Sequence, residues 1–282
     1  MRRVDSIFEA DFVEPWEAPL APTSRAAYRR DLSEFAAYAS IQTPSRMADI
    51  DAAHDWFRTR TPRLARRFAA AWRSYVMAAS DAGHITAPQA AAACSPIVFE
   101  ECRFEPERLD FLFKSEGADV RLARAIALTG MPVPCLVRLS PGHADPTAKD
   151  GHWMRFRMVQ PGLVRQWSVP SFLLPAAYAN EVPYFATKRK TPYSDSALRL
   201  LLLQIGKALN TRAVGFALRV SYVASAMRFG IPRGDAIMAA EGFLPEHQKE
   251  AILHVSGYYC RRYFGHMTLI PSKELAVFGF SG

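Results

Sequence analysis

Apolar residues recur three or four positions apart through the first hundred residues, which is the spacing of helices with one buried face. One long helix is predicted to follow Thr23 and Ser24, and further helices are predicted over 50–58, 62–82 and 85–93. The predicted buried faces are Tyr28, Leu32, Phe35 and Ala39 on the first long helix, and Leu64, Phe68, Trp72 and Val76 on the longest. Thr23 and Ser24 are the expected N-caps of the first long helix.

A different pattern follows residue 150. Residues 153–159 and 163–169 alternate apolar and polar side chains on either side of a Gln-Pro-Gly turn, which predicts a β-hairpin. The segment 196–209 is apolar over most of its surface and is expected to lie deep in the core. Helical spacing also covers 109–114, 119–129, 219–229 and 249–257. The chain is therefore predicted to be mainly α-helical with a small β-sheet.

Two domains are predicted. A helical domain at 21–94 and an α+β domain at 107–282 are separated by a linker at 95–106, because SPIVFEECRFEPE is short, extended in character and punctuated by proline. Residues 1–20 hold acids, prolines and scattered aromatics, and we interpret them as an N-terminal arm that is loosely held or docked. The length of 282 residues is enough for a sizeable core.

Composition narrows the class of protein. Half of the residues are apolar and 22% are charged, as in ordinary globular proteins. The formal net charge of +8, with an isoelectric point near 9.5, favours a polyanionic partner such as nucleic acid. The four cysteines lie far apart without CxxC spacing, so we interpret them as reduced thiols rather than as disulfides or a zinc site.

Neither an export signal nor a membrane span is expected. The first residues carry acids where a signal peptide needs an apolar core, and apolar runs such as Leu200–Leu203 are too short to cross a bilayer. The motifs GxGxxG, Walker A, GxSxG and HExxH do not occur in the sequence. We therefore expect a cytoplasmic bacterial protein with no cofactor, no bound metal and no membrane partner.

The segment TRAVGFALRVSYVASAMRF at 211–229 runs into GIPRGDAIMAAEGF. Its layout resembles the C-terminal box of the tyrosine recombinase (phage integrase) family. In that box His-x-x-Arg opens a helix, Gly-His or Gly-Trp closes the next one, and a tyrosine nucleophile follows nine residues later. The resemblance places Arg219 at the second catalytic arginine. The two histidine or tryptophan positions hold Phe216 and Phe243, and the nucleophile position holds Ile252.

Three more segments resemble the same family. LTGMPVPCLVRL at 128–139 resembles the box with the first catalytic arginine and its supporting acid, but Pro132 and Cys135 stand at those positions. A proline offers neither charge nor an N–H donor to a phosphate. The predicted hairpin resembles the one whose turn carries the lysine general acid, and Gly162 lies nearest that position. The motif YxxDLxxF at 28–35 resembles the core-binding domain that precedes the catalytic domain.

The resemblance implies a DNA-binding protein whose chemistry is incomplete. Strand exchange in the family uses two arginines, a lysine, two histidine or tryptophan positions and the tyrosine around one phosphate, and only Arg219 matches. Losing one such donor typically lowers the rate by about 10²–10³, so losing the nucleophile as well should abolish turnover. The expected function is sequence-specific binding of double-stranded DNA without cleavage. The protein would act as a transcriptional regulator or as a non-catalytic subunit, alone as an oligomer or beside an active recombinase.

Candidate DNA-binding residues are the cations that a surface tracking phosphates needs. They are Arg25, Arg29, Arg30, Arg66 and Arg67 in the helical domain, and Arg155, Arg165, Lys188, Arg189, Lys190 and Arg219 in the second domain. The segment 188–190 is the densest positive cluster in the chain. Solvated surface charge is the alternative for each group, and protection of an edge strand is the alternative for the hairpin arginines.

Two other functions stay open. Tyr258 and Tyr259 follow the nucleophile position by about 10 Å along a helix, so a divergent active recombinase is one alternative. It predicts a covalent protein–DNA adduct. The other alternative is a protein-interaction module that kept the fold and lost DNA binding, and it predicts that Arg219→Ala leaves any residual binding unchanged.

Overall fold

The computed structural model describes residues 7–115, 120–145, 153–160, 162–174, 181–187, 189–208, 210 and 214–264. The chain separates into two compact units, Met1–Glu100 and Glu101–Gly282. The prediction of a mainly α-helical chain with a small β-sheet is confirmed, since the described part consists of helices and one two-stranded sheet. Within that part, none of the helices combines the length and the apolar character that a membrane crossing requires.

The first unit is a bundle built around α4. Its helices are α1 (Val13–Glu17), α2 (Pro22–Tyr38), α3 (Ile50–Arg58), α4 (Pro62–Asp81) and α5 (Ala87–Ala93). Phe35 of α2 packs against Phe68 of α4 with 5.2 Å between ring centroids, and both side chains are buried. Trp72, one turn further along α4, is also fully buried and donates its Nε1 hydrogen to the carbonyl oxygen of Met47 at 2.6 Å. Phe68, Trp72 and Val76 of the predicted α4 stripe therefore lie at the centre of this unit.

Residues 7–20 are docked rather than loose. Tyr75 of α4 donates its hydroxyl hydrogen to the carbonyl oxygen of Ile7 at 2.6 Å, and Trp16 Nε1 donates to Ser74 Oγ at 2.9 Å. Phe12 packs edge-on against Tyr75 with 5.2 Å between ring centroids. Of the two alternatives for this stretch, loosely held or docked, its described residues adopt the docked one, because their aromatic side chains pack on one helix.

The start of α2 and one core position of α4 differ from their predictions. Helix α2 begins at Pro22, before Thr23 and Ser24, and its N-cap makes no side-chain hydrogen bond. Proline at the first helical position already has the required φ and lacks the N–H that a cap would satisfy. Leu64 was predicted to be buried but is 36% exposed, because it lies in the first turn of α4 at the rim of a surface cavity.

The segment after α5 also differs from the extended linker predicted at 95–106. Residues Pro96–Phe99 form a 3-10 helix in which Ile97 and Val98 are fully buried. His54 Nδ1 is hydrogen-bonded to the carbonyl oxygen of Val98 at 2.9 Å. The apolar pair thus belongs to the core of the first unit, and an extended conformation would have left it in water.

The second unit places a β-hairpin against helices. It contains α6 (Pro106–Lys114), α7 (Val120–Thr129), α8 (Val133–Leu136), β1 (Trp153–Gln160), β2 (Leu163–Pro170), α9 (Asp195–Ala208), α10 (Gly215–Arg228), α11 (Arg233–Ala240) and α12 (Lys249–Phe264). The strands pair antiparallel, so the predicted hairpin is confirmed. Phe156 of β1 lies opposite Trp167 of β2, and both are buried. Helix α7 packs against both α10 and β2, and the core of the unit lies there.

Helix α9 is not the deep core helix that its composition predicts. Leu198, Leu202 and Ile205 are buried at helical spacing, but Leu200 is 58% and Leu203 48% exposed. One stripe of the helix packs on the unit and the opposite stripe faces outward. Apolar composition alone therefore overestimated the burial of this segment.

Candidate nucleic-acid interface

The arginine that the recombinase resemblance singles out lies at the meeting point of three helices. Arg219, in the first turns of α10, donates its Nε hydrogen to the carbonyl oxygen of Gly130, just after α7, at 2.7 Å. Its Nη2 hydrogen-bonds to Oε1 of Glu241, the residue that follows α11. The side chains of Arg219 and Glu241 are only 9% and 8% exposed. Arg219 is thus committed to contacts within the protein.

The hairpin adds a second arginine to the same carboxylate. Arg165 of β2 donates from Nη1 to the other oxygen of Glu241, Oε2, at 3.2 Å, and its side chain is 17% exposed. Its guanidinium also lies over the ring of Phe243, 5.4 Å from the ring centroid. Arg165, Glu241 and Arg219, which we call the buried triad, carry two positive charges and one negative charge. The triad ties β2 to α10 through the end of α11.

Glycines allow the backbone to pass close to the triad. Gly242 has a φ of +87°, and a Cβ there would lie 2.6 Å from the Trp167 ring. Gly130 has a φ of +66°, and a Cβ there would lie 2.5 Å from the ring of Tyr222. Only glycine fits such positions without strain or a clash. The glycines of the Gly242-Phe243 and Thr129-Gly130 pairs in the two recombinase-like segments are therefore required by close packing of the backbone against Trp167 and Tyr222.

The other positions that the resemblance assigns to catalysis carry no charged side chain. Pro132 is the N-cap of α8, and Gly162 lies in the hairpin turn with a φ of +72°. Phe216 is 41% exposed, whereas Phe243 is 7% exposed under Arg165. Ile252 is 5% exposed, inside α12.

A cavity of about 50 Å³ adjoins the nucleophile position. It is lined mainly by Leu128, Arg155, Trp167, Tyr222, Lys249 and Ile252. The cavity lies between α7, β2 and α12, and its volume is that of one or two water molecules. The lining also includes the hydroxyl-bearing residues Thr129, Ser168 and Ser256, so both cations and hydroxyl groups lie beside Ile252.

The two tyrosines beyond Ile252 differ in accessibility. Tyr259 is 5% exposed, burial raises its pKa, and its hydroxyl donates to Ser225 Oγ at 3.4 Å. Tyr258 is half-buried, and its hydroxyl oxygen accepts a hydrogen bond from Arg262 Nη1 at 2.9 Å. Tyr258 is therefore the more accessible of the two.

The arginines predicted for DNA binding in the first unit form two groups. Arg29 makes two hydrogen bonds to the carboxylate of Glu17, and Arg25 Nη2 donates to the carbonyl oxygen of Glu17 at 3.2 Å. Arg67 is bidentate to Asp31 at 2.6 and 2.7 Å. Arg30 and Arg66 are exposed. Among the described residues, neither of these two side chains has a hydrogen-bond or ion-pair partner.

The basic cluster at 188–190 is described in part. Lys188 lies outside the described residues. Arg189 and Lys190 are exposed, in a tight turn in which the Thr187 N–H donates to the carbonyl oxygen of Thr191 at 2.9 Å. Lys190 has a φ of +62° there. Arg155 of β1 is half-buried at the cavity beside Ile252.

The carboxylates that organise the arginines were missed at the sequence level. Glu17, Asp31 and Glu241 are each buried, and each binds at least one arginine from another secondary-structure element. A local signal existed for Glu241, which stands directly before the glycine of a recombinase-like box. No group of metal-ligating side chains is present within the part of the chain that the structure describes.

Solved structures with a similar fold exist for this chain, although its sequence matches no family model. No protein-family model and no curated protein matches the sequence. The integrase from mycobacterium phage Brujita is 10% identical, with 93% of this chain and 94% of that one covered and a TM-score of 0.42. XerA recombinase is 14% identical, with 90% and 95% covered and a TM-score of 0.39. XerH site-specific recombinase, bound to its difH substrate, is 12% identical, with 91% and 78% covered and a TM-score of 0.39. These are the class of protein that the sequence resembles.

Proposed function

We propose that this protein binds double-stranded DNA sequence-specifically without cutting it. One observation carries the proposal. Arg219, the catalytic-type arginine that remains, is buried and bound to Glu241 and Gly130. The matching positions at Pro132, Phe243 and Ile252 offer no charge and no nucleophile. The centre that would hold a reacting phosphate is thus filled by internal contacts.

The missing groups act together in strand cleavage. A reacting phosphate needs donors aimed at the charge that develops in the transition state, a nucleophile in line, and an acid for the leaving oxygen. An arginine that already binds a carboxylate gives little net charge to a second anion. Arg165 and Arg219 share one Glu241, so the triad supplies one net positive charge. Such a centre suits a structural role better than phosphoryl transfer.

Surface charge supports DNA as the partner. The chain carries a formal charge of +8, and Arg30, Arg66, Arg189 and Lys190 remain exposed on it. Cations of this kind neutralise backbone phosphates and release counterions, which provides affinity without any chemistry on the DNA. In this proposal the protein is cytoplasmic, associates with the nucleoid when bound, and acts as an oligomer or beside an active recombinase.

A nicked duplex separates binding from cleavage. Fragmented host DNA is first recovered on the purified protein at near-physiological salt and sequenced, and the recovered sites are rebuilt as nicked duplexes that trap a covalent intermediate. We expect specific retention and no covalent adduct on a denaturing gel. Recovery of nothing above background would contradict DNA binding and favour a protein-interaction module. Sites at promoters would identify a regulator, and sites at element ends a recombination accessory.

A divergent recombinase is the second candidate, and one contact favours it. The hydroxyl of Tyr258 accepts a hydrogen bond from Arg262, and a neighbouring cation stabilises the phenolate that would attack. In that case an adduct forms on the nicked duplex and disappears in Tyr258→Phe. Tyr259→Phe is the matched control, since the buried Tyr259 should not affect adduct formation.

A further inference from the structure

Helices α2 and α4 of the first unit carry seven arginines. One of them, Arg73, donates to the carbonyl oxygen of Ser95 at 3.4 Å, and the other six fall into two groups of three. The paired group, held by carboxylates of the same unit, consists of Arg25, Arg29 and Arg67. The solvent group, with exposed side chains, consists of Arg30, Arg63 and Arg66. Within the described residues, no member of the solvent group has a hydrogen-bond or ion-pair partner. Arg29 and Arg30, and likewise Arg66 and Arg67, are sequence neighbours with opposite surroundings.

Glu17 holds two members of the paired group. It ends α1, its side chain is 7% exposed, and Arg29 reaches both of its carboxylate oxygens. Arg25 Nε lies 4.0 Å from Oε2 of the same carboxylate. The guanidinium of Arg29 also lies over the Phe8 ring, 5.1 Å from its centroid. These contacts fix residues 7–17 onto α2, and the hydrogen bond to Glu17 raises the pKa of Arg29.

Asp31 holds the third member and joins the two helices. Its carboxylate takes a bidentate pair of hydrogen bonds from Arg67 of α4, with Asp31 only 8% exposed. Arg30 precedes Asp31 and Arg66 precedes Arg67. The ion pair that sets the spacing of α2 and α4 therefore also sets the spacing of two solvent-group side chains.

We propose that the solvent group contacts the phosphates of duplex DNA, while the paired group positions the helices that carry it. This inference rests on the DNA-binding function proposed above. An arginine can bind a phosphate at full strength only if no carboxylate neutralises it. Arg63 and Arg66 lie three residues apart, on one face of α4. Arg30 lines the same cavity as Arg67 and Leu64, so it lies beside the start of α4.

Salt dependence of binding separates the groups. Each phosphate contact contributes about 0.9 to the slope of log K against log salt on duplex DNA. The probe is a labelled random-sequence duplex, titrated with the full-length protein over a series of salt concentrations. Arg30→Gln and Arg66→Gln should each flatten the slope by about 0.9. Their sequence-adjacent controls, Arg29→Gln and Arg67→Gln, should leave the slope unchanged and lower the thermal midpoint instead.

Variants that keep the positive charge can still test the partition if Arg29→Gln or Arg67→Gln does not fold. Arg30→Lys should retain the wild-type slope, whereas Arg67→Lys should lower the thermal midpoint, because lysine cannot reproduce the bidentate geometry. Equal slope losses in the two groups, with folded proteins, would overturn the partition and leave DNA binding intact. A wild-type protein without any salt-dependent binding would remove the DNA proposal itself, and this inference with it.

Discussion

Both units contain arginine–carboxylate pairs, but the arginines next to them differ in exposure between the two units. In the first unit Glu17 and Asp31 neutralise paired-group arginines at a half-exposed surface, and cations next to them stay in water. In the second unit Glu241 takes both Arg165 and Arg219 into the interior. The same kind of ion pair therefore lies beside exposed cations in the first unit and ties β2 to α10 in the interior of the second.

The exposure of the arginines explains the difference, because all three carboxylates are buried. The side chains of Arg165 and Arg219 are 17% and 9% exposed, so both partners of each pair in the triad are buried and removing one is strongly unfavourable. The paired-group arginines of the first unit are 30–47% exposed, so water and salt screen their pairs, which we call surface pairs. We therefore expect the buried triad to contribute to the stability of the second unit. The surface pairs are weaker, and they leave room for a ligand on the adjacent side chains.

The largest effect is expected on removing the carboxylate of the buried triad. Glu241→Ala leaves Arg165 and Arg219 without their shared counter-charge, and breaking a buried pair in this way typically destabilises by about 3–5 kcal/mol. Chemical denaturation measures it. The control is Glu250→Ala on the exposed first turn of α12, expected within about 0.5 kcal/mol of wild type. Equal stability of both variants would show that the triad does not hold the unit together.

The next effect tests the close packing beside the triad. Gly242→Ala puts a Cβ 2.6 Å from Trp167 at a φ of +87°, so backbone strain adds to a clash. We expect a loss of about 2–4 kcal/mol, since each of the two contributes about 1–3 kcal/mol. Gly230→Ala is the matched control, because Gly230 has a φ of +82° and open space around its Cβ position. Its loss should be about 1 kcal/mol, from backbone strain alone. Equal losses would mean that Trp167 moves aside.

A smaller effect is expected at the surface pair of the first unit. Asp31→Asn removes the charge that Arg67 binds, and a hydrogen bond to a charged group contributes about 1.5–3 kcal/mol when buried. Arg67 is 30% exposed, so we expect a loss of about 1 kcal/mol. The loss should shrink in high salt, whereas that of Glu241→Ala should not. Denaturation midpoints of both variants at low and high salt distinguish the two kinds of pair.

The sequence pattern correctly predicted those features of the fold that are determined by residues close together in the chain. The bounds of α3 and the antiparallel hairpin follow from spacing and turn residues, and both are as predicted. The docking of residues 7–20, the exposure of Leu200 and the partner of Arg219 depend on surfaces that meet only in the folded unit. Arg219 and Glu241 are 22 positions apart in the chain, and no helical or strand period links them. The resemblance identified the arginine, and only packing identified what it binds.

The smallest expected effect concerns Glu17, and it sharpens the contrast most directly. Glu17→Gln removes the charge that neutralises Arg25 and Arg29 while leaving both arginines on α2. If the carboxylate alone keeps them from phosphate, the salt slope of duplex binding should steepen by up to about 0.9 for each released arginine. The loss of stability should stay near or below about 1 kcal/mol, because both arginines are more than 40% exposed. Glu14→Gln, at an exposed position of α1, is the control for a change in net charge. If both variants steepen the slope equally, net charge governs binding and the local pairing of Glu17 does not.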